Sequence, residues 1–152
     1  MSQDATNQLA TFGVSASAAT DTRTTIETRG FEFEVDEPKP LGGTDEAPNP
    51  VEYLLGAWAG CLNVVGHGVA DEMDLEIDDL SIDIEGDLDP AKFLGEDPDV
   101  RAGYQHIEVT VDAEVDADDE TVQEWLETVE KRCPVGDTVA NPTPVDVSLS
   151  AD

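Results

Sequence analysis

Residues 49–73, NPVEYLLGAWAGCLNVVGHGVADEM, decide how the rest of the chain is read. Asn49 suits an N-cap and Pro50 the first helical position. Glu52, three residues past Asn49, completes a capping box. Between Tyr53 and Ala70 there is no Asp, Glu, Lys or Arg. A helix so free of charge is expected to be covered on nearly every side. Gly56, Ala57, Ala59 and Gly60 are small enough to let another backbone come close. In the middle stands Cys61. The only other cysteine, Cys133, lies far along in KRCPVGD, residues 131–137.

Outside this helix, the balance of charge sets the class of protein. The 152 residues carry 36 Asp and Glu against 7 Lys and Arg, a net charge of -29. That excludes a nucleic-acid reader, which needs a basic surface. The acids run along the whole chain, so they describe a hydrated surface and not a tail. Such a surface suits concentrated salt, where screening removes self-repulsion, and a halophilic source is expected. The start, MSQDATNQLA, has neither the basic nor the apolar part of a leader. The long helix is a poor membrane span. It contains Asn63, His67 and four glycines, and its flanks are acidic. A soluble cytoplasmic protein is expected, with its two cysteines outside any permanent disulfide.

The chain reads as a single domain of 152 residues, of which 12–149 form the core and 1–10 a frayed start. Residues 12–18, 22–28 and 31–35 alternate like strands and are separated by turns at Thr20-Asp21 and Arg29-Gly30. Residues 36–48, DEPKPLGGTDEAP, form a loop. Gly42-Gly43 lacks phosphate-loop spacing. After the long helix, Leu80, Ile82 and Ile84 mark a strand, residues 86–103 a long loop, and residues 107–115 the cleanest strand pattern of all. Asp118 or Asp119 caps a second helix that ends in Lys131 and Arg132. Its apolar positions Val122, Trp125, Leu126 and Val129 lead onto Cys133. Pro134 stops that helix and starts a short one over 134–140. Val145, Val147 and Leu149 suggest a last strand. The result is an α+β domain of one helix-backed, six-stranded sheet. One such sheet covers one side of the long helix. A second copy of the helix, packed through Gly56 and Gly60, would cover the rest, so a homodimer is expected.

The chemistry rests with few residues. On spacing alone Cys61 reads first as a small core residue and second as a reactive thiol. Cys133, at a helix start beside Arg132, looks like the better thiolate on local grounds. Arg29, Arg101 and Arg132 are scarce cations that can neutralise a thiolate or pair with surface acids. His67 lies six residues past Cys61 and points elsewhere on a regular helix. Neither cysteine belongs to a CxxC or zinc pattern.

Two segments together carry a resemblance: NPVEYLLGAWAGC at 49–61 and CPVGDTVANPTPV at 133–145. VDEPKPLGG at 35–43 and RAGYQHIEVTVDAEV at 101–115 fit it as well. The chain resembles the OsmC/Ohr family of thiol-dependent peroxidases over residues 12–149. The resemblance implies antiparallel sheets around a long central helix, in an intertwined α+β homodimer. It implies that Cys61 attacks the O–O bond of an organic hydroperoxide, and that Cys133 resolves the sulfenic acid into a disulfide. A dithiol, often on a lipoylated protein, would restore both thiols, with no metal, haem or flavin. Tyr53, Leu54, Trp58 and Trp125 would line an apolar substrate site. The family's catalytic glutamate directly follows the proline, where this chain has Val51, and the nearest acid is Glu52. Glu52 and Cys61 fall on opposite faces of a regular helix at about 100° per residue. Both Arg29 and Arg101 remain candidates for the family's arginine. Two other readings stand beside the peroxidase: a non-catalytic dimer binding a small apolar ligand, and a thiol redox sensor.

Overall fold

The computed structural model describes residues 8–150. Its elements are β1 (Ser15–Ala18), β2 (Thr24–Thr28), β3 (Phe31–Val35), a 3-10 turn (Lys39–Leu41), α1 (Pro50–Glu72), β4 (Ile77–Leu88), β5 (Tyr104–Val115), α2 (Asp119–Arg132) and α3 (Pro134–Ala140). This is a mixed α+β fold with antiparallel sheets. It divides into two compact units between Glu52 and Tyr53. Residues 1–7 of the expected frayed start lie outside the described residues.

In the first unit, β1, β2 and β3 form an antiparallel meander in which Ala16 faces Ile26 and Ile26 faces Phe33. Arg29 and Gly30 take φ of 49° and 86°. Positive φ at both positions matches the twist of a two-residue hairpin between Thr28 and Phe31. The first strand begins at Ser15 and not at Phe12, and Phe12 and Val14 are exposed.

The loop after β3 is closed by the fully buried carboxylate of Asp36. One of its oxygens accepts the Glu37 N–H at 2.8 Å. The other accepts the Thr44 hydroxyl at 2.6 Å and the Glu46 N–H at 3.1 Å. Gly43 is required beside it, because a Cβ there would overlap the Glu37 carbonyl. The glycine pair therefore serves loop closure. These donors, led by the Thr44 hydroxyl, hold Asp36 far below its ordinary value of 3.8. A lowered carboxylate pKa stabilises the fold above the unfolded value, and that contribution is lost progressively as pH falls below it and through the lower folded value. Asp36→Asn is therefore expected to lower the melting temperature at pH 7, with a smaller gap from wild type at pH 3. A gap independent of pH would contradict this role.

The long helix starts as its sequence dictates. The Asn49 side chain accepts the Glu52 N–H and the Glu52 carboxylate accepts the Asn49 N–H, both at 2.9 Å. In the second unit the buried stripe of α1 is Leu62, Gly66, Val69 and Ala70, at helical spacing. It meets Trp125 and Val129 of α2 and the inward positions of β4 and β5. In that ladder Ile82 pairs with Val111 and Ile84 with Val109. Gly66 allows the closest approach. A Cβ there would sit 3.2 Å from the Trp125 ring, whose indole N–H donates to the Gly66 carbonyl at 2.8 Å. β4 runs past Gly86 to Leu88 because the Tyr104 ring lies over Gly86 and fills the missing side chain's place. The loop expected from residue 86 thus begins later.

Three expectations need correction. The strands form separate sheets of three and two, not one sheet of six. Among the described residues no strand forms beyond α3; Val145, Val147 and Leu149 are 75%, 91% and 95% exposed, and no described strand pairs with them. Nor is α1 covered all round within the single chain. Val64 is 71% exposed, and Leu54, Gly56, Gly60 and Asn63 also face outward. Among the described residues no helix is long and apolar enough to cross a membrane.

Candidate active site

Cys133 occupies a junction of two helices. It ends α2 and caps α3, with Pro134 in the first position of the new helix. Its sulfur accepts the Gly136 N–H at 3.4 Å and is only 1% exposed. The apolar face of α2 carries it inward, beside Trp125 and Val129. Cys61, half-buried on α1, lies within hydrogen-bonding reach of it. The fold therefore brings together two sulfurs that are far apart in the chain, and both are free thiols.

The local-chemistry reading of Cys133 as the readier thiolate does not hold. Burial pushes its thiol above the ordinary 9.0. The N–H groups of Gly136 and Val135 pull the other way, and the neighbouring Cys61 adds to the rise. Arg132 does not compensate. Its guanidinium grips the Glu72 carboxylate at 2.6 and 3.0 Å, across from the end of α1. Each of that pair shifts the other: Arg132 lowers the Glu72 pKa, and Glu72 raises that of Arg132. Burial thus favours the protonated form of Cys133.

Close to the Cys133 sulfur is a cavity of about 340 Å³, whose walls include neither cysteine. Trp58 and Leu62 of α1, Val109 and Val111 of β5, and Leu126 of α2 make its apolar wall, with Gly136 and Ala140 of α3 and Glu130 of α2. Gly136 joins cavity and sulfur. A Cβ on it would stand 2.9 Å from the Trp58 indole nitrogen and 3.5 Å from the Cys133 sulfur. Gly136→Ala is expected to cost about 1–3 kcal/mol, as overpacking does, and to shift Trp58. Thermal melts with tryptophan fluorescence check this; an unchanged melt and spectrum would contradict the packing described.

The residues expected from sequence fall in different places. Trp58 lines the cavity. Trp125 does not; it is buried behind it, bonded to Gly66. Tyr53 is half-buried and Leu54 exposed, and neither lines the cavity. Glu52 is engaged in the helix cap. Arg29 sits in the β2–β3 turn of the first unit, its guanidinium 5.3 Å from the centre of the Phe31 ring. Arg101 is exposed in the loop between β4 and β5. The described residues give neither arginine an ion pair, and no cation is among the groups that shift Cys133. His67 faces outward, its Nδ1 2.9 Å from the Asn63 carbonyl. Among the described residues no three His, Cys, Asp or Glu side chains are placed to share a metal ion. Sequence reading missed every cavity wall except Trp58: Leu62, Val109, Val111, Leu126, Glu130, Gly136 and Ala140. The alternation of β5 marked Val109 and Val111, and the apolar stripe of α2 marked Leu126, as inward but not as concave; no pattern marked Glu130 or Ala140.

The family model described as OsmC-like protein matches residues 43–148. No curated protein sequence matches the chain. Among solved structures, an OsmC-like protein from Mycoplasma pneumoniae superimposes with a TM-score of 0.75 at 20% identity, covering 86% of this chain and 88% of that one. An organic hydroperoxide resistance protein from Elizabethkingia anophelis gives a TM-score of 0.65 at 20% identity, over 87% and 89% of the two chains. One from Legionella pneumophila gives 0.63 at 20% identity, over 87% and 90%. At these identities the likeness is one of fold.

Proposed function

Because the chain belongs to the family of OsmC-like proteins, we propose that it is a thiol-dependent peroxidase that reduces organic hydroperoxides to alcohols. The observation that carries this reading is the contact of Cys61 with Cys133 beside an apolar cavity. Two fold relatives are named organic hydroperoxide resistance proteins, which supports the substrate class.

In the proposed cycle the Cys61 thiolate attacks one oxygen of the peroxide bond. The O–O bond breaks, the leaving alkoxide takes a proton to become the alcohol, and Cys61 becomes a sulfenic acid. The Cys133 sulfur then displaces hydroxide from the sulfenic sulfur. Its own proton goes to that hydroxide, giving water and a Cys61–Cys133 disulfide. A dithiol, of the kind a lipoylated protein carries, reduces the disulfide and is itself oxidised. Cys133 need not ionise beforehand, which suits its raised pKa. Cys61 does, and needs a nearby cation; Arg29 and Arg101 are the candidates.

The active form in this reading is a homodimer. The exposed face of α1 and the exposed apolar tail at Val145, Val147 and Leu149 would be covered there. Glu52 and the arginine would also reach a sulfur across that interface. A sedimentation mass of one chain would remove this part. The acidic surface suits cytoplasm rich in salt. The non-catalytic reading, a dimer holding a small apolar ligand, is favoured by one observation: the Glu52 carboxylate is already occupied by Asn49.

Steady-state assay in concentrated salt separates the readings. Cumene hydroperoxide is expected to oxidise dihydrolipoamide one for one, at a rate proportional to enzyme. Absence of turnover with peptide thiols intact would leave the ligand-binding dimer. A disulfide that forms quickly but is reduced only slowly would identify a redox sensor.

A further inference from the structure

One charged side chain breaks the apolar wall of the cavity. Glu130 lines it together with Trp58, Leu62 and Val111. Leu62 is buried and Trp58 and Val111 are half-buried, whereas Glu130 and Ala140 are exposed. Glu130 therefore stands at the mouth. Gly136, on the same cavity wall, donates its N–H to the Cys133 sulfur. A molecule seated in this cavity lies beside its carboxylate.

The surroundings leave that carboxylate uncompensated. Among the described residues its side chain has no ion pair, and no Lys, Arg or His lines the cavity. A second negative charge held in the cavity beside it is repelled, and solvent at the exposed mouth moderates that repulsion without cancelling it. The Trp58 indole is the only N–H side chain on the wall. It can donate to a neutral oxygen but cannot neutralise an anion. The cavity, about 340 Å³, is near the low end of small-molecule sites at about 300–1,000 Å³. It admits a compact aryl or short alkyl group, while a long tail would trail out past Glu130.

We propose that Glu130 is a specificity residue that makes the site select neutral hydroperoxides, alkyl or esterified, over those bearing a carboxylate. This rests on the peroxidase reading for its substrates, though the charge selection itself does not require turnover.

Two arms keep the claims separable. In the binding arm, 1-decanol and decanoate are titrated into the protein with tryptophan fluorescence as readout. Wild type is expected to hold decanol about tenfold more tightly than decanoate, and Glu130→Gln to narrow that ratio to about threefold or less. Glu127→Gln removes one exposed acid from the outer face of the same helix and is expected to leave the ratio unchanged. In the turnover arm, linoleic acid hydroperoxide and its methyl ester are compared by kcat/KM. The ester preference is expected to shrink in Glu130→Gln and, through screening, at higher salt. Equal affinity for decanol and decanoate overturns the proposal. So does a ratio that Glu130→Gln leaves unchanged, a Glu127→Gln effect as large as that of Glu130→Gln, or failure of both probes to bind. Loss of the turnover arm alone, with the binding ratio intact, counts against the peroxidase and not against the selection.

Discussion

Cys61→Ser is expected to lose hydroperoxide reduction by about a thousandfold or more, with its fold unchanged. The size follows from the chemistry. A serine hydroxyl has neither the acidity nor the nucleophilicity of a thiol, and removing a nucleophile takes away the step itself. Its position supports a small structural cost. Cys61 is half-buried, and oxygen for sulfur alters volume only slightly. Cys133→Ser is expected to behave differently. It keeps the first half-reaction and consumes one equivalent of peroxide, then stops, because no thiol remains beside the sulfenic acid. Peroxide consumption over one and many turnovers distinguishes the two variants. Equal loss in both within the first turnover would contradict the assigned order of attack.

Trp125→Ala is expected to be the most damaging change to stability, at about 3–5 kcal/mol. The indole is 2% exposed and sits between Gly66 of α1 and the rest of the core. Its removal leaves a cavity and also leaves the Gly66 carbonyl without its 2.8 Å donor. For a chain of 152 residues that corresponds to a fall in Tm of about 10 °C or more. Trp125→Phe keeps most of the volume and loses the hydrogen bond, so its melt is expected between the two. A melt for Trp125→Ala within 2 °C of wild type, by circular dichroism, would contradict the central place given to this residue.

These two residues also show what a sequence can and cannot say. The helix from Pro50 was legible because its start is written in local chemistry: Asn49, Pro50 and Glu52 make the cap that the structure contains. The α2–α3 junction was legible for the same reason, since a proline ends one helix and begins another. Strand faces followed from alternation in Ile107 to Val115. The depth of Trp125 was not legible. It depends on Gly66, distant in sequence, leaving room for the ring. The same holds for the meeting of Cys61 and Cys133, which no spacing rule gives and only the family resemblance anticipated. The expected last strand shows the opposite limit. Val145, Val147 and Leu149 alternate as a strand should, yet a strand needs a neighbour to pair with, and the described residues offer none. Charge misled at Arg132, whose side chain turns to Glu72 and leaves the sulfur to burial.

The proximity of the two cysteines is the centre of this account, and peptide mass spectrometry tests it most directly. The reduced protein, kept in concentrated salt, receives one equivalent of cumene hydroperoxide and is alkylated and digested. The prediction is an internal Cys61–Cys133 disulfide in wild type, with a sulfenic acid trapped on Cys61 in Cys133→Ser. Two alkylated thiols in wild type, or a sulfenic acid on Cys133 in Cys61→Ser that forms as fast as the wild-type disulfide, would contradict it.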